Sequence, residues 1–148
     1  MFAPKNILVP TDFSKYSHAA LDTAMDIAAQ HKAKVHIIHV VTEHIKRCTA
    51  TYCLDAKLVK ELEKQSFKGA SDRLMKEVGT IAKKKGVKIS VDVKNGVPQD
   101  IILSEQKAKN IDLIVIATHG QTGILKNLIG SVAEKVVKGA KCSVMVIK

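Results

Sequence analysis

The chain has 148 residues and is 46% hydrophobic, enough for a single domain, residues 1–148, around one core. No stretch reaches the ~18 consecutive apolar residues of a membrane span, and no basic-then-apolar leader opens it, so a cytoplasmic location is expected. A formal charge of +10 admits a polyanionic partner, but the lysines are spread along the chain and aromatics make up only 3%, so the charge is read as a wetted surface and nucleic acid is not expected as a partner.

Strand-like and helix-like segments alternate from the start. Ile7–Val9 is a short apolar run stopped by Pro10, and it reads as a buried strand. Ala20, Leu21, Ala24, Met25, Ile27 and Ala28 then recur at helical spacing between Ser17 and His31, with Ser14 or Ser17 as the cap. Val35–Val41 is β-branched and mostly apolar, a second strand. Residues Thr42–Asp55 are the least regular, and a long helical pattern follows, with Leu58, Leu62, Ala70, Leu74, Val78 and Ile81 on or near one face. Lys83, Lys84, Lys85 and then Gly86 mark its end, because cations favour a helix C-terminus and glycine suits the left-handed position beyond it.

Val87–Val93 alternates as a third strand. Gly96 and Pro98 open a third helix, where the missing proline N–H costs nothing. Asp112–Ala117 is the fourth strand, Ser131–Gly139 a fourth helix and Ser143–Ile147 a fifth strand. Regular alternation of this kind predicts an α/β fold, a five-stranded parallel doubly wound sheet with helices on both faces. Two strand orders remain open to this pattern, 2-1-3-4-5 and 3-2-1-4-5. In either, a ligand site is expected at the carboxyl ends of the strands beside the switch point. In the second order that brings Pro10-Thr11-Asp12 next to the stretch beginning at Ala117.

That stretch, ATHGQTGILKNLIGS, holds three glycines and a single charge, Lys126. Ser131 and Glu134 fit the S-x-x-E capping box, so a well-capped helix is the structural reading. The same helix start also offers backbone N–H groups to a phosphate, which Gly130 and Gly120 would let approach closely. Neither G-x-x-x-x-G-K-[ST] nor a G-x-G-x-x-G after the first strand is present. Asp12 reads as a turn-stabilising residue and His39 as a satisfied, half-buried histidine. His36 and His39, three apart in a strand, face opposite ways and make a poor metal pair. His44, Cys48 and Cys53 fall short of the four ligands zinc usually takes, so no metal site is expected there, and Cys142 reads as a packing residue.

The stretch ATHGQTGILKNLIGSVAEKVV, with VPTDFS near the start and SVMVI at the end, resembles the universal stress protein family along nearly the whole chain. The nucleotide-binding members of that family carry glycine, two residues, glycine, nine residues, then glycine followed by Ser or Thr. Gly120, Gly130 and Ser131 match. Ala117 stands at the first glycine position, and Gln121 stands where members often carry Lys or Arg.

The resemblance implies the order 3-2-1-4-5 and ATP, or AMP or ADP, bound with Mg or Mn across the switch point. Asp12 and the backbone of Val40 would face the adenine, with Pro10, Thr11 and Ala117 near the base and ribose. Gly120, Gln121 and Thr122, then Gly130, Ser131, Val132 and Ala133, would line the phosphates, with His119 inside the motif. It further implies a stress-response regulator acting as a homodimer through the strand Ser143 to Ile147, with an unknown protein partner. The alternative is a weak ATPase or adenylate-transferring enzyme. With no base or arginine near the motif, hydrolysis is expected to be slow at most and no catalytic residue is assigned.

Overall fold

The structure, a computed structural model, describes residues 1–42, 55–119 and 129–148. In chain order the elements are β1 (Asn6–Thr11), α1 (Lys15–His31), β2 (Lys34–Val41), α2 (Ala56–Lys85), β3 (Lys88–Asn95), α3 (Pro98–Ala108), β4 (Leu113–Ala117), α4 (Ser131–Gly139) and β5 (Ser143–Ile147). The strands form one sheet in the order β3-β2-β1-β4-β5, every neighbouring pair parallel. Of the two orders left open by alternation, this is the one with the switch point between β1 and β4.

Side-chain alternation divides the core in two. Ile7, Val9, Val35 and Ile37 turn toward α1 and α2, where they meet Leu21, Met25, Leu74 and Val78. Leu8, Ile38, Ile114 and Ile116 turn the other way, toward Ile102 of α3 and Val136 of α4. Ile7, Leu8 and Val9 are all fully buried, which is why β1 reads as an unbroken apolar run rather than an alternating one. Burying each such side chain contributes about 1.5–3 kcal/mol.

Four local expectations need correction. β1 does not stop at Pro10 but runs on to Thr11, with Pro10 in register with Ile38 of β2. The Lys5 carbonyl accepts from Lys34 of β2 and the Asn6 carbonyl from Asp112 beside β4, so by alternation Pro10 faces β4. The β1–β4 ladder has already ended at Leu8–Ile114, and a missing N–H there breaks nothing. Asp112 lies just outside β4, where its carboxylate accepts from the backbone N–H groups of Lys5 and Asn6 at 2.8 and 2.9 Å and tethers the start of β1. On α2, Leu74, Val78 and Ala82 are buried, but Leu58 and Leu62 are 48% and 39% exposed. Only the carboxyl end of this 30-residue helix packs on the sheet, so the apolar periodicity outruns the surface available to cover it.

The fourth correction concerns α4. Its N-cap is Gly130, not Ser131, and no side chain caps it, so the Ser131–Glu134 capping box does not form. Glu134 instead reaches forward to Lys138 at 2.6 Å, and that hydrogen bond holds its carboxyl below the usual range. The start of α4 is set by the backbone. Thr118 donates its N–H to the Ile147 carbonyl at 2.7 Å, and Gly130 donates its N–H to the Thr118 carbonyl at 2.6 Å. Gly130 has φ −59°, which any residue tolerates, so its role is spatial. A Cβ there would lie 2.9 Å from the Thr118 carbonyl oxygen. The other helix ends match expectation: Ser14 caps α1 by accepting from Ser17 N–H, and Gly86 closes α2 at φ 64°.

His36 lies on the face of β2 that looks toward α3. Asn6 Oδ1, 3.4 Å from Nε2, can only accept, so Nε2 carries the proton and Nδ1 accepts from the Ser90 hydroxyl at 2.7 Å. Nearby, the Lys109 ammonium pairs with Asp92 and lies 2.9 Å from Glu105 Oε2. Burial, then the charges of Lys34 and Lys109, push the His36 pKa below its ordinary value. Burial pulls Lys109 down too, but hydrogen bonds to Asp92 and Glu105 outweigh it and leave that pKa raised.

Two measurements follow from this packing. Gly130→Ala should cost about 1–3 kcal/mol in urea denaturation, because the added methyl must displace backbone rather than a side-chain tip. Below about pH 6.5 the unfolded chain takes up the His36 proton more readily than the folded one, so stability should fall as pH drops from there toward the lowered folded pKa. Denaturation at pH 7.5 and 5.5 should show a smaller acid loss for His36→Gln than for the parent; equal losses would remove His36 as a source.

Candidate functional site

The splaying of β1 from β4 opens the site. β1 is in register with β2 from Asn6 to Thr11, yet with β4 only at Ile7 and Leu8. Beyond that the two strand tips part, and a crevice of about 250 Å³ lies between them. One wall is Pro10, Thr11 and Asp12 of the β1 tip; the facing wall is Ala117, Thr118 and His119 of the β4 tip. Ile38 and Val40 of β2 and Ile102 of α3 supply an apolar floor, and Gly130 to Ala133 close the end with the first turn of α4.

The β1 wall is held by a directional hydrogen-bond chain. Ser17 Oγ donates to the Ser14 carbonyl at 2.9 Å, so Thr11 Oγ1 must donate to Ser17 Oγ at 3.0 Å, while Thr11 Oγ1 accepts from Phe13 N–H at 3.2 Å. Asp12 Oδ1 accepts from Ser14 N–H at 3.0 Å, which is the turn-stabilising role the sequence suggests. These bonds hold Phe13 at φ 64°, a left-handed conformation that a bulky side chain rarely takes. The Phe13 ring is further fixed by His39, with centroids 4.6 Å apart, and by the Arg73 guanidinium 4.1 Å above it. His39 Nδ1 in turn donates to the Thr11 carbonyl at 2.8 Å, so His39 is satisfied, as expected.

On the opposite wall Thr118 Oγ1 and His119 Nδ1 are 2.8 Å apart, and the His119 ring lies 5.6 Å from that of Tyr16. Ser131 is exposed at the mouth, while Ala133 is buried behind it. With Gly130 as N-cap, the first-turn N–H groups of Ser131, Val132 and Ala133 belong to the positive end of the helix dipole. Among the described residues lining the crevice none is lysine or arginine, so backbone N–H groups, with the Ser131 and Thr118 hydroxyls and the His119 ring, are what it offers an anion.

The ten described residues expected from the sequence, Pro10, Thr11, Asp12, Val40, Ala117, His119, Gly130, Ser131, Val132 and Ala133, all border this one crevice. Gly120, Gln121, Thr122 and Lys126 lie outside the described residues, as do His44, Cys48 and Cys53. Cys142 is half-buried against the α3–α4 side of the core, where burial, then Asp112, pushes its thiol pKa up. No group of three or more His, Cys, Asp or Glu side chains among the described residues could hold a metal ion.

Sequence reasoning missed Ile38, Ile102, Pro98, Ile116, Thr118 and Ser17. Ile38 was within reach, since it precedes Val40 by one strand period. Thr118 lies inside the glycine-containing stretch itself. Ile102 carries no such signal: in sequence it is an ordinary core position, and only the seating of α3 under the crevice brings it there.

Comparison with known proteins agrees with this architecture. The model of the universal stress protein family matches residues 4–148. Universal stress protein MJ0531 of Methanocaldococcus jannaschii is 38% identical over 144 residues, covering 97% of this chain and 82% of the relative. The solved structure of protein MJ0577 superposes with a TM-score of 0.85 at 26% identity, covering 99% of this chain and 97% of that one. Two more distant structures share the fold: a universal stress protein in complex with cAMP, TM-score 0.68 at 24% identity, and one from Archaeoglobus fulgidus in complex with dAMP, TM-score 0.63 at 20%. The first covers 99% of this chain and 98% of its own, the second 99% and 100%. The crevice at the β1–β4 switch point thus belongs to a protein whose order of elements, strand by strand, is that of its relatives, and the chain is a member of the universal stress protein family.

Proposed function

We propose that the crevice binds an adenine nucleotide, ATP or its di- or monophosphate, and that the protein acts as a nucleotide-dependent regulator in the form of a homodimer. The observation that carries this reading is the meeting of a polar β1 tip, an apolar floor and a helix N-terminus around a single crevice. The base would lie against Ile38 and Val40 beside Asp12. The ribose would pass Thr11 and Ala117, and the phosphates would reach the first turn of α4 at Gly130, Ser131, Val132 and Ala133, with Gly120, Gln121 and Thr122 completing their cradle. His119 would stand beside ribose or phosphate. Complexes of two proteins of this fold with cAMP and dAMP support the class of ligand. Magnesium or manganese would arrive with the phosphates, held by their oxygens and by water, since Asp12, the single carboxylate among the described lining residues, would stand beside the base.

The walls suit binding better than turnover. Phosphoryl transfer asks for a positioned water and a cation at the departing phosphate, and the described walls provide neither lysine nor arginine. The Ala117 methyl narrows the crevice where the family pattern has glycine, and Gln121 in place of a Lys or Arg favours a smaller nucleotide over ATP.

Support for the homodimer comes from β5. It ends the sheet, and Met145 on it is 38% exposed. An apolar edge strand exposes unpaired backbone groups, and pairing with the same strand of a second copy covers them.

Titration calorimetry with ATP, ADP and AMP plus magnesium tests the site. Ser131→Asp should weaken binding at least about tenfold by setting an acid beside the phosphates, while an acid in a first helical turn favours folding. An absence of heat at millimolar nucleotide would sink the proposal. Light scattering tests the dimer: the parent should have the mass of two chains, and Met145→Asp should shift it toward one. A parent with the mass of one chain at high concentration would remove the dimer.

A further inference from the structure

The lysines that are scattered along the sequence converge in the fold. A parallel α/β sheet puts the start of every strand, and the end of every helix before it, on one side of the molecule, opposite the crevice. His31 and Lys32 end α1, Lys83, Lys84 and Lys85 end α2, and Lys138 ends α4. Lys5, Lys34, Lys88 and Lys141 stand at or just before the starts of β1, β2, β3 and β5, and Lys107 ends α3. Register makes these neighbours in space: Asn6 is beside Lys34, and Lys34 is beside Lys88. Apart from the half-buried Lys85, all of these lysines are exposed.

The acids at this end leave most of the charge uncompensated. Asp26 is taken by Lys85 at 2.5 Å and Glu134 by Lys138 at 2.6 Å, and Asp112 accepts from the backbone of Lys5 and Asn6, so the unpaired charge is that of Lys5, Lys32, Lys34, Lys83, Lys84, Lys88, Lys107 and Lys141 against Asp112. Asp92 and Glu105 are engaged by Lys109. Cations at helix ends are explained in part by the helix dipole. That reason does not reach Lys5, Lys34, Lys88 and Lys141, which stand at or just before the starts of strands. The positive charge is therefore a property of this end as a surface.

We infer that this basic end docks on an anionic lipid bilayer. Three observations choose a bilayer over nucleic acid. The connections here are only two to four residues long, so the end is level, with no helix or hairpin standing out to enter a groove. Among the described residues Phe13 and Tyr16 lie at the opposite end and Phe2 alone stands beside these lysines, so no series of aromatic rings is present on which successive bases would stack. Met1 and Phe2, just ahead of Lys5, are fully and 56% exposed, and an apolar residue beside lysines suits the boundary between headgroups and acyl chains. Each lysine near such a surface strengthens attachment several-fold, and salt screens the effect. Docked this way, the protein lies on the membrane without crossing it, and its crevice faces away into solvent.

Flotation with phosphatidylcholine vesicles, with and without 30% (about a third) phosphatidylglycerol, tests this. The parent should float with the anionic vesicles at low salt, stay behind with neutral ones, and be released by about 0.5 M salt. Lys83→Gln/Lys84→Gln/Lys88→Gln, and independently Lys5→Gln/Lys34→Gln/Lys141→Gln, should each lower partitioning by about tenfold or more. Lys57→Gln/Lys60→Gln/Lys64→Gln, which removes the same charge from the far end of α2, should not. The inference is overturned if the parent fails to float with anionic vesicles at low salt, or if the α2 control loses as much as the others. Retention on duplex DNA without flotation likewise overturns it in favour of a nucleic-acid face.

Discussion

Gly130 brings its backbone against the Thr118 carbonyl, N to O 2.6 Å, at a spot where a methyl group would not fit. Thr118 is itself tied to Ile147 by its own N–H. This two-bond relay links the ends of β4 and β5 to the start of α4. Through it, the first turn of α4 is carried to the crevice mouth instead of being set by a side-chain cap. The helix N-terminus that the crevice offers an anion depends on that placement, and its described walls supply no lysine or arginine.

The other wall is built on a different principle. Here Thr11, Ser17, Ser14 and Asp12 are joined by a chain of short-range hydrogen bonds, and Phe13 is held in a left-handed conformation by that chain and by its packing on His39 and Arg73. Backbone strain of this kind persists where the surroundings over-determine it. A rigid polar turn therefore faces a backbone-defined helix start across an opening made by the early end of the β1–β4 ladder. Preorganised walls lower the ordering cost a ligand would otherwise bear.

Polarity between the two ends of the sheet is the larger consequence of the topology. The carboxyl end holds the crevice and its hydrogen-bonding walls, without lysine or arginine among the described lining residues; the amino end gathers lysines from every helix terminus and from four of the five strand starts. The two ends can meet different chemistries at once because the sheet, buried on both faces, separates them.

Much of this was legible in the residues. The β-α alternation, the left-handed close of α2 at Gly86, the Pro98 opening of α3 and the seams of β1 and β4 all follow from local propensity and period, which contiguous residues carry within themselves. The family pattern around Gly120, Gly130 and Ser131, with Asp12, pointed to the strand tips that border the crevice. Only the tertiary structure decided the rest. Ser131 is not the cap, because a distant carbonyl at Thr118 sets where the helix begins. Pro10 stays within β1, because the neighbour it would have bonded has already turned away. Leu58 and Leu62 are exposed, because the sheet ends before the helix does. Ile102 reaches the crevice, and lysines far apart in the chain share one surface, because strand order and the uniform direction of the sheet fix which distant residues meet. A one-dimensional pattern determines what each segment becomes, and the closing of the segments on one another determines what they face.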